Sequence, residues 1–302
     1  MLKLGFIGAG TVGTALAVLL SSKGYPVVAV TSRSPGAAAK LAGEVKSCRV
    51  FKTSQNVADA AELVFITTPD DIIAQVASQV NWHRGQYVVH CSGAASTDIL
   101  EPARKSGALV GSIHPLQTFA GVKQAVTNLP GSTFAVEAVE PLLGILKDIA
   151  TDLNGNCIEL KADDKVAYHA AAVIACNYLV TLVKMATDLW QTFSVPPDKA
   201  TKALLPLIQG TLNNINTIGI PQCLTGPIAR GDTGTIRKHL KTLNKIAPEL
   251  LSTYKELGIQ TIPVSLAKGK IDKRQAQELE AILKESVVNV SGGKPDENNA
   301  QK

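Results

Sequence analysis

Over roughly the first 160 residues, short apolar runs alternate with longer stretches whose apolar residues recur at helical spacing. Lys3–Ile7, Val27–Thr31, Arg49–Phe51, Leu63–Thr67, Tyr87–His90, Leu109–Ile113, Thr133–Val136 and Cys157–Leu160 read as strands. They show no strict alternation of apolar and polar positions, as expected when both faces of a sheet are covered. Helical stretches lie between them, among them Thr11–Ser22, Gly36–Gly43, Asp70–Val80 and Glu140–Leu153. This succession predicts an α/β fold, a mostly parallel sheet wound with helices on both faces.

Near residue 162 the pattern changes. Four long periodic segments follow: Asp163–Phe193, Pro197–Ile215, Thr233–Leu257 and Asp272–Val287, separated at Pro196-Pro197, Gly219-Ile220-Pro221 and Gly269-Lys270. They predict an all-α second domain. The expected organisation is a nucleotide-binding domain at 1–161, a helical substrate and dimerisation domain at 162–287, and a disordered tail at 288–302, whose last residues are Gly, Pro, Asn and charge. His169, Asn177 and Lys184 interrupt the apolar stretch Tyr168–Met185, which predicts a core helix and not a membrane span.

Composition narrows the classes. A net charge of +5 with no aromatic-studded basic stripe argues against a nucleic-acid partner and leaves phosphate-bearing small molecules open. The five scattered cysteines form no C-x-x-C pair, so neither a disulfide framework nor a metal site is expected, and a reducing cytoplasm suits them. The first strand starts at residue 3 with no signal-peptide pattern before it.

The most informative stretch is Gly8-Ala9-Gly10-Thr11-Val12-Gly13, placed between the first strand and the first helix. In that context G-x-G-x-x-G predicts a Rossmann-type dinucleotide site. The first glycine turns the chain, the second admits a diphosphate, and the third lets the helix pack closely. The exposed amides and positive end of the helix then meet the phosphate charge. After the second strand, where a carboxylate would hold the ribose hydroxyls of NAD, the chain reads Ser32-Arg33-Ser34. An Arg fork and two hydroxyls suit a 2′-phosphate, so NADP(H) is the expected cofactor.

Ligands of such sheets lie across the carboxyl ends of the strands. Thr67 and Thr68 are placed to touch the cofactor ribose, while Asp70 reads mainly as a helix cap. Ser92 and Gly93 suit close approach of a flat ring, and Cys91 reads as a small buried filler. His114, Gln117 and Thr118 form a polar cluster on what reads as a post-strand loop. Lys165 and His169 share one helix face, with Asn177 about 80° round a regular helix from His169. Either Lys165 or His169 could supply the proton that accompanies hydride transfer. Arg230, flanked by small residues, reads as a carboxylate anchor or as a local partner of Asp232.

Gly8-x-Gly10-x-x-Gly13, Thr31–Ser34, Cys91-Ser-Gly93, His114–Phe119, Tyr168–Ala172, Asn177, Thr225-Gly-Pro227 and Arg230-Gly-Asp232 together resemble a bacterial family. That family joins a Rossmann-like domain to a helical domain of unknown function, DUF2520, with NADP-dependent oxidoreductase activity predicted for it. More distantly, the chain looks like pyrroline-5-carboxylate reductase, 6-phosphogluconate and 3-hydroxyisobutyrate dehydrogenases, and ketopantoate reductase. In the hydroxyacid members a Lys with an Asn four residues on donates the proton and binds substrate. Lys165 matches the Lys, but His169 stands where the Asn should be. The resemblance implies a homodimer through the helical domain and a branched 2-oxo acid such as ketopantoate as one candidate substrate. The resulting expectation is an NADP(H)-dependent reductase of the carbonyl or imine of a small carboxylate. In it His169, Lys165 and Asn177 are catalytic, and Ser92, His114, Gln117, Thr118 and Arg230 hold the substrate. Its rivals are a non-catalytic NADP sensor or scaffold and a deazaflavin-dependent NADP oxidoreductase.

Overall fold

The computed structural model describes residues 1–285, so the tail expected at 288–302 lies outside them. Eight strands form one sheet: β1 (Leu4–Ile7), β2 (Val27–Thr31), β3 (Arg49–Val50), β4 (Leu63–Ile66), β5 (Tyr87–His90), β6 (Leu109–Leu116), β7 (Thr133–Ala138) and β8 (Asn156–Glu159). Their order is β3-β2-β1-β4-β5-β6-β7-β8, parallel except between β6 and β7. All eight coincide with runs expected from the sequence.

Successive residues of a strand feed opposite cores, because side chains alternate across the sheet. Leu4, Phe6, Leu63 and Phe65 pack on one face against α1 (Thr11–Ser22), α2 (Pro35–Glu44) and residues of α7, named below. Phe6 and Phe65 stack there, with ring centroids 5.0 Å apart. Ile7, Val64 and Ile66 pack on the other face against α3 (Ser54–Ala60), α4 (Asp70–Gln79) and α5 (Glu101–Lys105). Burial on both sides is why the strands read as continuous apolar runs. Next come α6 (Val122–Asn128), α7 (Leu142–Asp152) and α8 (Lys165–Ala172), followed by a π-helical turn at Val173–Asn177.

Two differences from expectation have clear causes. β6 does not stop at Ile113 but continues to Leu116, because β7 pairs with it antiparallel from Gly111 to Leu116. His114 is therefore a strand residue and not part of a loop. The segment expected as one helix over 233–257 is two, α11 (Thr233–Ile246) and α12 (Leu251–Lys268), parted at Ala247-Pro248. There Ala247 leaves the helical region at φ −154° ahead of a proline, which disfavours helix in the residue before it.

The chain divides into two compact units, Met1–Tyr178 and the part from Leu179 onward. The second holds most of α9 (Tyr178–Gln191), then α10 (Pro197–Ile218), α11, α12 and α13 (Lys273–Lys284). Its core is built by Ile236 and Leu240 of α11, Ile262 of α12, and Leu279, Ile282 and Leu283 of α13. α9 and α10 contribute little to it: Val180 is 70% and Leu207 68% exposed. The helical run Ala162–Gln191 is long and apolar enough to cross a membrane by length and composition, yet almost none of it is buried in the chain. It is not the core helix expected from its sequence. An apolar face has the same periodicity whether it buries against its own chain or against something else.

Candidate active site

The site starts at the carboxyl ends of β1, β2 and β4. Gly8 has φ +115°, and a Cβ on it would lie 2.7 Å from the Thr67 carbonyl. Thr67 fixes the turn by donating its hydroxyl to Gly8 O at 2.8 Å and its N–H to Ile7 O at 2.9 Å. A Cβ on Gly13 would lie 2.6 Å from Gly8 O, so only glycine lets α1 sit this close. Gly10, by contrast, is exposed and faces open space. The first turn of α1 carries neither a side-chain cap nor an acidic residue. Its free amides and dipole are left for an outside anion.

From that turn a cleft of ≈ 530 Å³ runs past Ser32, Arg33 and Ser34 to Lys52, and past Thr67 and Thr68 on its other wall. Two cations and no carboxylate line it. Lys52 went unnoticed in the sequence, because only the pairing of β2 with β3 brings the segment after β3 beside Arg33. The hydroxyl of Thr68 is buried and has no partner among the described residues. An open glycine turn, an uncapped helix end, paired cations and an orphan hydroxyl fit a phosphorylated dinucleotide.

Further along the sheet, at the ends of β5 and β6, two imidazoles converge on Gly93. A Cβ there would meet His169 Nδ1 at 2.6 Å and His114 Nε2 at 2.9 Å. The rings of His114 and His169 are edge-to-face, with centroids 5.9 Å apart. His169 Nδ1 is buried without a hydrogen-bond partner among the described residues. The other nitrogen of His114, Nδ1, lies 2.8 Å from the Tyr168 hydroxyl. Burial and the nearby His169 and Lys165 push His114 down to about 4, so it is neutral at pH 7. His90, the last residue of β5, is engaged at both nitrogens: it accepts from Ser92 N–H at 3.1 Å and donates to Ser96 O at 3.2 Å. Burial takes it to about 3.

Beneath these rings lies a buried ion pair. Lys165, 2% exposed, donates to Ser112 Oγ at 2.5 Å and sits 3.4 Å from Glu137. Glu137 also accepts from the N–H and hydroxyl of Thr97. Burial lowers the Lys165 ammonium from its usual range, and Glu137 opposes that shift. Glu137 was not foreseen, since its partnership depends on the β6–β7 pairing.

The remaining candidates are placed as follows. Ser92 donates to Asp70 at 2.6 Å and accepts from Ala94 and Ala95 N–H, so its hydroxyl proton is engaged. Asp70, expected as a cap, makes no capping bond and serves instead as that acceptor. Gln117 binds Asn128 O, Ser132 Oγ and Thr118 N–H, pinning its own loop, and Thr118 is exposed. Cys91 is held protonated by burial, its thiol raised to about 12. Asn177 is exposed in the π-turn, so the angle from His169 read off a regular helix does not apply. Arg230 lies in the second unit, 65% exposed and 4.0 Å from Asp232, whose carboxylate caps α11 through Thr235 N–H. It borders a cleft of ≈ 420 Å³ with Lys268 and Lys270. No cluster of His, Cys, Asp and Glu suited to a metal occurs among the described residues.

The two depressed imidazoles make stability depend on pH. Unfolded, both take up a proton near 6.5; folded, they resist until about 4 and about 3. The unfolded chain therefore binds more protons between pH 6.5 and these values, and stability falls as pH is lowered through that window. Denaturant unfolding is expected to lose stability with a slope approaching about two protons below pH 6. In a His90→Asn/His114→Asn variant that slope should shrink.

Two family models match the chain: "Rossmann-like domain" over residues 1–115, and "Domain of unknown function (DUF2520)" over residues 132–261. The chain therefore joins a Rossmann-like domain to a DUF2520 domain. The second match starts inside the sheet and includes β7 and β8. No curated protein matches the sequence. Among solved structures, a candidate NADP oxidoreductase from Bacteroides fragilis is 26% identical (TM-score 0.69), covering 89% of this chain and 98% of its own. A Thermotoga maritima protein described without an activity is 28% identical (TM-score 0.71), covering 87% and 99%. The pyrroline carboxylate reductase of Plasmodium falciparum, solved with NADP bound, shares the fold at 14% identity (TM-score 0.56), covering 93% and 98%.

Proposed function

We propose that this chain is an NADP(H)-dependent oxidoreductase that reduces the carbonyl or imine of a small carboxylate, with 2-oxo acids such as ketopantoate and cyclic imines as the substrates to try. The observation that carries the reading is one line of strand ends. Arg33 and Lys52 follow β2 and β3, the open glycine turn follows β1, Thr68 follows β4, and the Gly93–His169–His114 cluster follows β5 and lies on β6. From β2 to β5 is three strand spacings, about 14 Å, which suits an extended dinucleotide. The similarity to the Bacteroides fragilis protein supports the same cofactor and class.

Bound NADPH would supply the hydride for the substrate carbon and leave as NADP⁺. His169 would give its proton to the substrate oxygen or nitrogen, since its Nδ1 faces Gly93 with no other partner. Lys165, enclosed by Ser112 and Glu137, acts as a fixed positive charge behind the rings. Ser92, His114, Gln117 and Thr118 are the substrate-side candidates of the sheet unit, with Asn177 further along its last helix. We place the protein in the cytoplasm, in keeping with its free cysteines.

The test is a panel of 2-oxo acids and cyclic imines with NADPH, followed by loss of NADPH absorbance. Tight NADPH binding with no turnover across the panel would favour the sensor reading. In the same assay, Arg33→Ala and Lys52→Ala should each raise the NADPH Kd by about tenfold, leaving NADH nearly unchanged, because a charge-assisted hydrogen bond contributes about 1.5–3 kcal/mol. The exposed apolar faces of α9 and α10 are the proposed homodimer contact. Sedimentation should return twice the 31.7 kDa chain mass, and a monomer would exclude that contact.

A further inference from the structure

We propose that Tyr168 is a positioning residue that fixes His114 with its proton on Nε2, so that this N–H stands beside Gly93 as a hydrogen-bond donor to the group being reduced. The proposal rests on the reductase reading for its substrate, and on the Tyr168 hydrogen bond and the burial of both groups for the tautomer. A neutral imidazole carries one proton, and the partner of one nitrogen decides where it sits. Here the partner is the Tyr168 hydroxyl, 2.8 Å from Nδ1, with the two rings edge-to-face at 5.6 Å.

The direction of that hydrogen bond follows from what else the phenol can do. Burial raises Tyr168 to about 12, so it keeps its proton. His114 Nδ1 is its hydrogen-bond partner among the described residues. If Nδ1 donated instead, the half-buried O–H would lose its acceptor, which is costly. Tyr168 therefore donates, and the ring proton moves to Nε2. His90 is a useful contrast, since both of its nitrogens are held by backbone and none remains for a ligand. His114 is held on one side only. Its Nε2, with no hydrogen-bond partner among the described residues, and the unpartnered Nδ1 of His169 both come to the same glycine. A carbonyl oxygen or imine nitrogen set there would meet a neutral donor of fixed polarity and an acid, each on its own ring. His114 is neutral at working pH, pressed by Lys165 and His169 of α8 and by burial, with His90 of β5 and Asp70 of α4 the other titratable groups near it.

Long-range ¹H–¹⁵N NMR of the histidine rings reads the tautomer without any turnover. In the wild-type chain His114 should show a protonated Nε2 and a bare Nδ1, and in Tyr168→Phe a mixture of the two forms. A protonated Nδ1 in the wild type would overturn the proposal. Kinetically, Tyr168→Phe should lower kcat by about tenfold with the KM for NADPH unchanged. In a His114→Gln background, whose amide donates without needing Tyr168, the same substitution should have no further effect. An equal loss in both backgrounds would mean a merely structural role and would also overturn it. If the wild type turns over nothing, the reductase reading fails, while the NMR result still decides what Tyr168 does to His114.

Discussion

Glu137→Ala is expected to lower the unfolding free energy by about 3–5 kcal/mol, because it leaves the Lys165 ammonium buried with its charge unanswered. Lys165 is 2% exposed, and its other partner, Ser112, is neutral. A fully enclosed cation cannot turn to water, so the loss should exceed that of a surface pair severalfold. Denaturant unfolding with a probe in the sheet unit measures it. The double variant Glu137→Gln/Lys165→Met removes both charges at similar volume and should recover most of the loss. If the single variant costs no more than about 1 kcal/mol, the charge is solvated in solution and Lys165 faces the cleft.

The second large effect is catalytic. His169→Ala is expected to lower kcat by about 10²–10⁴-fold, the usual contribution of a positioned proton donor, with NADPH affinity unchanged. Gly93→Ala should reproduce much of that loss with the histidine still in the sequence, since its Cβ would lie 2.6 Å from Nδ1 and displace the ring. Steady-state kinetics beside cofactor titration separates the two effects. A kcat within about threefold of wild type in His169→Ala would move the proton donor elsewhere, to Lys165 first.

Much of this was legible in the sequence, for physical reasons. The central strands announced themselves because strands buried on both faces, such as β1 and β4, are continuous apolar runs between helices. The glycine turn was legible because each glycine answers a separate steric demand, and Gly8 and Gly13 do so by closest approach. The short helices Ser54–Ala60, Glu101–Lys105 and Val122–Asn128 are too short to display a helical period in the sequence. Long-range partners were not legible either. Nothing local in Glu137 points to Lys165, and nothing in Lys52 points to Arg33; sheet pairing brings them together. Gln117 and Ser92 looked available as polar groups near strand ends, yet the fold uses them to pin Ser132 and Asp70. A polar residue in a sequence does not declare whether its bonds go inward or outward.

Calorimetric titration of the chain with NADPH and, separately, with NADH goes most directly to the central claim, that the amides at Gly10 grip a diphosphate whose far end is read by Arg33 and Lys52. The account predicts saturable binding of NADPH, at least about tenfold tighter than NADH, and its loss in Gly13→Val. No heat from either nucleotide, or equal affinity for both, would contradict it.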